Sequence, residues 1–309
     1  MVSLHLALFL YAWCLHILEN NLVVVKTLVI GDIHEKIWWV ENIIKKESPD
    51  LVITMGDYFD SFITTEETVK ATCDWLRNSL SQKNRISLIG NHELFYRFPL
   101  VKHFVCSGNT MAKCELINNI LTVDDWDKLN LFHFDGKYLY SHAGISKEHF
   151  EHPVNGITLD GIKEKCDKAI ERAKSGGADP ILRAGWSRGG MEKTGGITWQ
   201  DQNCESKAIN GWFQFVGHTP YRATNVPGRI KYVPNKKDAL GSIECLDFCG
   251  RYYTTITDGK IEYKLTGSTT YNEHEHKLVG EPFIDTRKII EYCKACGDPA
   301  PCHNTHRID

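Results

Sequence analysis

Five apolar runs in this chain break off at a small residue followed by Asp, Asn or His. Leu22 to Ile30 stops at Gly31-Asp32-Ile33-His34, and Leu51 to Met55 stops at Gly56-Asp57. Ile86 to Ile89 ends in Gly90-Asn91-His92-Glu93, Tyr138 to Tyr140 in Ser141-His142-Ala143-Gly144, and Trp212 to Val216 in Gly217-His218-Thr219-Pro220. Short apolar runs bounded by glycine predict buried strands. Helical patterns separate the first three. Lys36 to Glu47 is one, closed by Ser48-Pro49; Glu66 to Gln82 is another, with Val69, Cys73, Leu76 and Leu80 on one face. Thr64 followed by Glu67 predicts a capping box at its start. Alternation of strand and helix implies right-handed crossovers and a parallel sheet in the first third of the chain.

The second half changes pattern. Leu131 to Phe134, Asp135-Gly136 and Lys137 to Tyr140 form a hairpin signature, repeated at Tyr252 to Thr257, Asp258-Gly259 and Lys260 to Lys264. These predict a second, partly antiparallel sheet. One more helix is expected from Gly161 to Lys174, ended by Gly176-Gly177, and Gly185 to Gly196 has the composition of a loop. Trp38-Trp39 reads as core packing of the first helix.

The chain has 309 residues, 42% apolar and 24% charged, which suffices for a sizeable core and excludes disordered and disulfide-stapled classes. A net charge of -3 gives no global basic field, so there is no strong nucleic-acid signal. Eleven cysteines, an odd number and mostly scattered singly, point to a reducing compartment. Residues 1–21 are expected to be an apolar extension. Its apolar core, Val2 to Leu18, is 17 residues long, at the bottom of the membrane-spanning range, and has neither a Lys or Arg before Lys26 nor a small-residue cleavage site. A packed extension or a mis-set start is preferred over a signal or anchor, so a cytoplasmic protein without membrane association is expected. The remaining division is 22–280 as a catalytic domain and 281–309 as a tail with a short helix.

Ligands of open α/β sheets collect outside the carboxyl ends of the strands. All five polar stops would lie there, so Asp32, His34, Asp57, Asn91, His142 and His218 are expected to converge. They offer oxygen and imidazole donors and no thiolate, a set that suits Mn, Fe, Zn or Mg in a hydrolytic site and disfavours a structural zinc. Any one of them alone reads as a turn or a satisfied core residue. Together they have no purpose that turn chemistry would demand.

The order Gly-Asp-x-His, Gly-Asp-x-x-Asp, Gly-Asn-His-Glu, Ser-His-Ala-Gly and Gly-His-Thr-Pro resembles the calcineurin-like metallophosphoesterase superfamily, nearest its phosphoprotein phosphatase branch, which includes bacteriophage serine/threonine phosphatases and symmetrical diadenosine tetraphosphate hydrolases. The resemblance spans roughly Leu22 to Leu265. It implies an α/β fold, a four-layer α-β-β-α sandwich of two mixed sheets with the metal site at the strand C-terminal ends. It also implies two divalent cations, manganese foremost with iron or zinc as alternatives: Asp32 and His34 on the first, Asp57 as the bridge, Asn91, His142 and His218 on the second. Such a pair acidifies a shared water and clamps the attacking and leaving oxygens of an in-line displacement, so no covalent enzyme nucleophile is needed. His92 would be the general acid, held by Asp60, with a further metal ligand or a structural cap on the loop as its alternative roles; Glu93 is expected to orient the loop. The implied activity is hydrolysis of a phosphomonoester, with a phosphorylated Ser or Thr side chain favoured. A dinucleoside polyphosphate or a phosphodiester is the alternative, and a non-catalytic scaffold is disfavoured because every ligand position is filled.

The chain departs from that branch at Ser61, where an arginine would grip the phosphate. Arg188, in Trp186-Ser187-Arg188-Gly189-Gly190, is the leading substitute, aided by Asn91, because a glycine-flanked guanidinium can approach a dianion bidentately. Arg183, Arg97 and Arg222 are secondary candidates. Cys293, Cys296, Cys302, His303 and His306, and the Glu273-His274-Glu275-His276 run, read as tail and solvated loop rather than as zinc sites.

Overall fold

Val29 of Lys26–Ile30 (β1), Ile53 of Leu51–Thr54 (β2) and Ile256 of Tyr252–Thr257 (β8) form one apolar cluster with Tyr138 and Tyr140 of Tyr138–Ser141 (β5) and Phe215 of Phe213–Val216 (β6). That cluster is the seam between two sheets. Tyr140 and Phe215 stack at its centre with ring centroids 5.4 Å apart, a contact worth about 1 kcal/mol beyond its buried area. The computed structural model describes residues 25–266 except 62, 151–156, 206, 208, 210, 221–241, 249 and 251, together with a two-stranded ribbon at 271–272 and 277–278.

The first sheet has the order β3-β2-β1-β8-β9, where β3 is Arg85–Ser87 and β9 is Lys260–Leu265. Its first three strands are parallel, and β8 and β9 join antiparallel. The second sheet has the order β4-β5-β6-β7, where β4 is Phe132–Phe134 and β7 is Ser242–Cys245; β4 pairs antiparallel with β5, and β5, β6 and β7 are parallel. Both sheets are therefore mixed. Period-two alternation turns Leu28, Ile30 and Val52 away from the seam, into a cluster with Trp39, Val40 and Ile43 of Ile37–Glu47 (α1) and Val69, Cys73 and Leu76 of Glu66–Leu80 (α2). Leu139, between the two seam tyrosines, likewise belongs to the cluster that holds Ile162, Cys166 and Ala169 of Leu159–Lys174 (α6). Helices thus cover the outer face of each sheet, which gives the expected α-β-β-α sandwich.

Three details differ from the sequence expectation. The second hairpin, β8–β9, returns to the first sheet rather than extending the second, because β1 offers it an open edge. The cap of α2 is Thr65, whose side chain and that of Thr68 exchange hydrogen bonds with each other's backbone amides; the Thr64 hydroxyl is taken by Glu35, 2.6 Å away. Asn91–Arg97 (α3), Met111–Ile120 (α4) and Val123–Asp127 (α5) lie between β3 and β4, where no helix was expected. Cys73, Cys106, Cys114 and Cys166 form no disulfide. Among the described residues no helix is long and apolar enough to cross a membrane. The N-terminal apolar segment, Arg222, the Glu273 to His276 run and the Cys/His tail lie outside the described residues, as do the boundaries at 21 and 280.

Candidate active site

The six parallel strands, and none of the antiparallel ones, lead directly into the buried polar residues of one site. Asp32 follows β1, Asp57 follows β2, Asn91 follows β3, His142 follows β5, His218 follows β6 and Asp247 follows β7. Asp57 is the hub. Its Oδ2 lies 3.4 Å from His142 Nε2 and 3.9 Å from both His34 Nε2 and His92 Nε2. Ligand atoms of His34, Asp57 and His92 all lie within 4.8 Å of one another, as do those of Asp57, His142 and His218. Asn91 Oδ1 is 3.0 Å from His142 Nε2. Asp32 belongs to neither triad; its two carboxylate oxygens accept the His218 amide at 3.1 Å each.

Backbone carbonyls fix the imidazoles. His142 Nδ1 donates to the Met55 carbonyl at 2.7 Å and His34 Nδ1 to the Phe59 carbonyl at 2.9 Å, so both rings present Nε2 toward Asp57. Anchoring one ring nitrogen in this way sets the tautomer a metal ligand needs. The backbone beneath is strained. Among the described non-glycine residues seven have positive φ, and five of them are His34, Glu35, Asp57, Asp60 and His218, so the strain collects at this site. Close approach explains two of the motif glycines. A Cβ on Gly90 would sit 2.1 Å from Asp57 Oδ1, and one on Gly217 would sit 2.3 Å from Asp32 Oδ1.

Glu93 orients the loops, as its position in the motif suggested. Its fully buried carboxylate accepts the amides of Gly90 at 2.9 Å, Asp57 at 2.9 Å and Tyr58 at 2.8 Å. One side chain near the start of α3 thereby clamps the turn that carries Asp57.

His92 Nδ1 is 2.8 Å from Asp60 Oδ2. The Asp60 carboxylate also accepts from Tyr96 Oη at 2.6 Å, from Asn109 Nδ2 at 2.7 Å and from Lys113 Nζ. Tyr96, Asn109 and Lys113 escaped the sequence reading because none of them lies within a strand-exit motif: Tyr96 is one turn further along α3, and Asn109 and Lys113 lie beside and on α4. Asp247 also escaped. Its strand carries Glu244 between Ile243 and Cys245 and has no glycine before the acid, so the pattern that marked the other strand exits is missing there.

The site opens into a cleft of about 710 Å³, with Asp57, Asn91, His92 and His218 together with Arg183 and Arg188 among its lining residues. Arg188 Nε is 2.9 Å from Asp201 Oδ2, and its Nη2 donates to Thr219 Oγ1 at 3.2 Å. Arg183 pairs with Glu192 at 3.0 Å. Arg97 does not line this cleft and pairs with Asp127.

Burial opposes charge throughout the site, and the neighbours decide the outcome. Desolvation works against the Asp57 carboxylate, but the His142, His92 and His34 imidazoles outweigh it and hold its pKa well below the usual range. Burial likewise opposes the His142 imidazolium, yet Asp57 and Asp32 bring its pKa up to about 9. Asp32 goes the other way: burial, then Asp247, raise its pKa well above the ordinary carboxylate value.

The donor set fits divalent cations. In each triad the imidazole and carboxylate donor atoms lie within 4.8 Å of one another, close enough to share one ion. The Asp57 carboxylate is common to both triads.

The sequence profile of the calcineurin-like phosphoesterase family matches residues 25–222, and the chain belongs to this family of hydrolases. Among solved structures, a candidate diadenosine tetraphosphatase is 15% identical over 79% of this chain and 95% of its own, with a TM-score of 0.39. A protein serine/threonine phosphatase from Saccharomyces cerevisiae is 13% identical over 79% and 81%, with a TM-score of 0.42. A metallophosphoesterase from Sphaerobacter thermophilus is 14% identical over 89% and 95%, with a TM-score of 0.38. No curated protein sequence matches the chain.

Proposed function

We propose that this phosphoesterase hydrolyses a phosphomonoester, with a phosphorylated Ser or Thr side chain as the favoured substrate. The carrying observation is the convergence of the His34, His92 and His142 Nε2 atoms on one oxygen of Asp57. Asp32, His34 and Asp57 would hold one divalent cation, and Asp57, Asn91, His142 and His218 a second, manganese being the expected metal. Bound there, the cations supply Lewis acidity that acidifies water and draws off phosphate charge.

The chain's own groups do the rest. Arg188, fixed by Asp201 and Thr219, and the Asn91 amide grip the phosphate where the arginine expected at Ser61 is missing. His92 holds a proton on Nε2 and passes it to the departing alkoxide, while Nδ1 stays tied to Asp60. A proton donor at that place contributes roughly 10² to 10⁴ in rate. The catalytic unit is residues 22–280.

Ser61 also favours a second reading, a dinucleoside polyphosphate or phosphodiester substrate on the same site. Parallel assays of manganese-loaded protein on a phosphopeptide, diadenosine tetraphosphate and a bis-aryl phosphodiester decide between them. Preference for the phosphopeptide supports the first reading; preference for either other substrate replaces it.

A further inference from the structure

Glu35 follows His34 at φ 61°, in the left-handed region where glycine rests without strain and a residue with a Cβ does not. The residue is nonetheless a glutamate, and its side chain is buried and fully engaged. Oε1 accepts the Asp60 amide at 3.1 Å, the Ser61 amide at 3.3 Å and the Thr64 hydroxyl at 2.6 Å. Oε2 accepts the Thr68 hydroxyl at 2.5 Å, within the first turn of α2. Every one of these donors belongs to 60–68, the segment that begins with the partner of His92. The Glu35 amide in turn donates to the Tyr58 carbonyl at 2.7 Å, so the two loops are latched in both directions.

Asp60 itself sits at φ 66°. A strained aspartate at the head of a loop stays put only when its surroundings over-determine it. Its carboxylate is held from α3 and α4, but its backbone amide is held by Glu35.

We propose that Glu35 is a positioning residue for proton transfer: by fixing the Asp60 backbone from the loop that carries His34, it sets the aim of His92. This rests on the reading of His92 as the proton donor. A misplacement of a fraction of an ångström in such a group lowers the rate without weakening ground-state binding.

The test compares an alkyl phosphate, whose leaving group needs a proton, with 4-nitrophenyl phosphate, whose leaving group departs without one. Glu35→Gly removes the carboxylate and suits the backbone. It is expected to lower kcat on the alkyl ester about tenfold, to change KM by less than about twofold, to affect the aryl ester much less and to lower the melting temperature without unfolding the protein, since the relieved backbone offsets part of the lost hydrogen bonds. Glu35→Gln keeps an acceptor for the Asp60 amide and should retain kcat within about threefold. Equal loss on both esters, an unchanged kcat, or a variant that fails to fold would each make the carboxylate structural and overturn the proposal. His92→Asn separates the two levels. If it too hits both esters equally, the reading of His92 falls; if it is selective while Glu35→Gly is not, only the role of Glu35 falls.

Discussion

His92 Nδ1 and Asp60 Oδ2 stand 2.8 Å apart, and Lys113, from α4, supplies the ammonium that balances the aspartate. Asp60 is fully buried on its side chain, and burial alone would raise its carboxyl pKa; His92, Lys113 and Tyr96 reverse that and hold it below the usual value.

Lys113→Met should therefore destabilise the fold by about 2 kcal/mol, the range for a lost hydrogen bond to a charged group. Three other donors remain on Asp60, which keeps the cost from reaching that of an abandoned buried charge. Urea denaturation measures it. A change within about 0.5 kcal/mol would show that the ion pair adds nothing.

Glu93→Ala strands four buried amides at once, those of Gly90, Asp57, Tyr58 and Phe59. A cost of at least about 3 kcal/mol is expected, with weakened manganese uptake because the Asp57 turn loses its clamp. Thermal denaturation and metal titration of the same variant check both parts. Unchanged metal affinity would show that the turn holds its shape without Glu93.

Glu47, at the end of α1 and remote from the cleft, gives a pH prediction independent of any cation. Burial opposes its charge, but Lys26, the Tyr253 hydroxyl and Lys264 lower its pKa from 4.5 to about 2. A carboxyl whose folded pKa is depressed contributes stability that is fully present above the unfolded value and is lost as pH falls through the folded one. That contribution should therefore fade between pH 4.5 and about 2. Glu47→Gln should lower stability at neutral pH and flatten its decline across that window, as read from urea denaturation at a series of pH values. Parallel acid-unfolding curves for the two proteins would contradict the assignment.

The strand-exit residues were legible because a buried parallel strand must end in a turn, and the Gly-Asp, Gly-Asn and Gly-His stops mark that turn and the chemistry together. The close approaches at Gly90 and Gly217 show why the small residue is required. Supporting residues were not legible. Lys113 and Asp60 lie 53 positions apart, and Tyr96 and Asn109 reach the same carboxylate only because α3 packs against α4. Nothing in their local sequence announces a shared partner. The cap of α2 illustrates the same limit on a smaller scale: Thr64, with Glu67 three residues on, has the stronger local signature, yet Glu35, drawn in from another loop, takes its hydroxyl and Thr65 caps the helix. Ser242–Cys245 is four residues long and lacks flanking glycine close to its end, so β7 and the Asp247 that follows it were invisible to the rule that found the other strands.

The central claim is that Asp57 is shared between two cations, and metal stoichiometry tests it most directly. Metal analysis of the manganese-equilibrated protein should give about two ions per chain, falling to one or fewer in Asp57→Asn together with loss of phosphomonoester hydrolysis. An Asp57→Asn protein that still bound both ions and turned over at the wild-type rate would contradict the account.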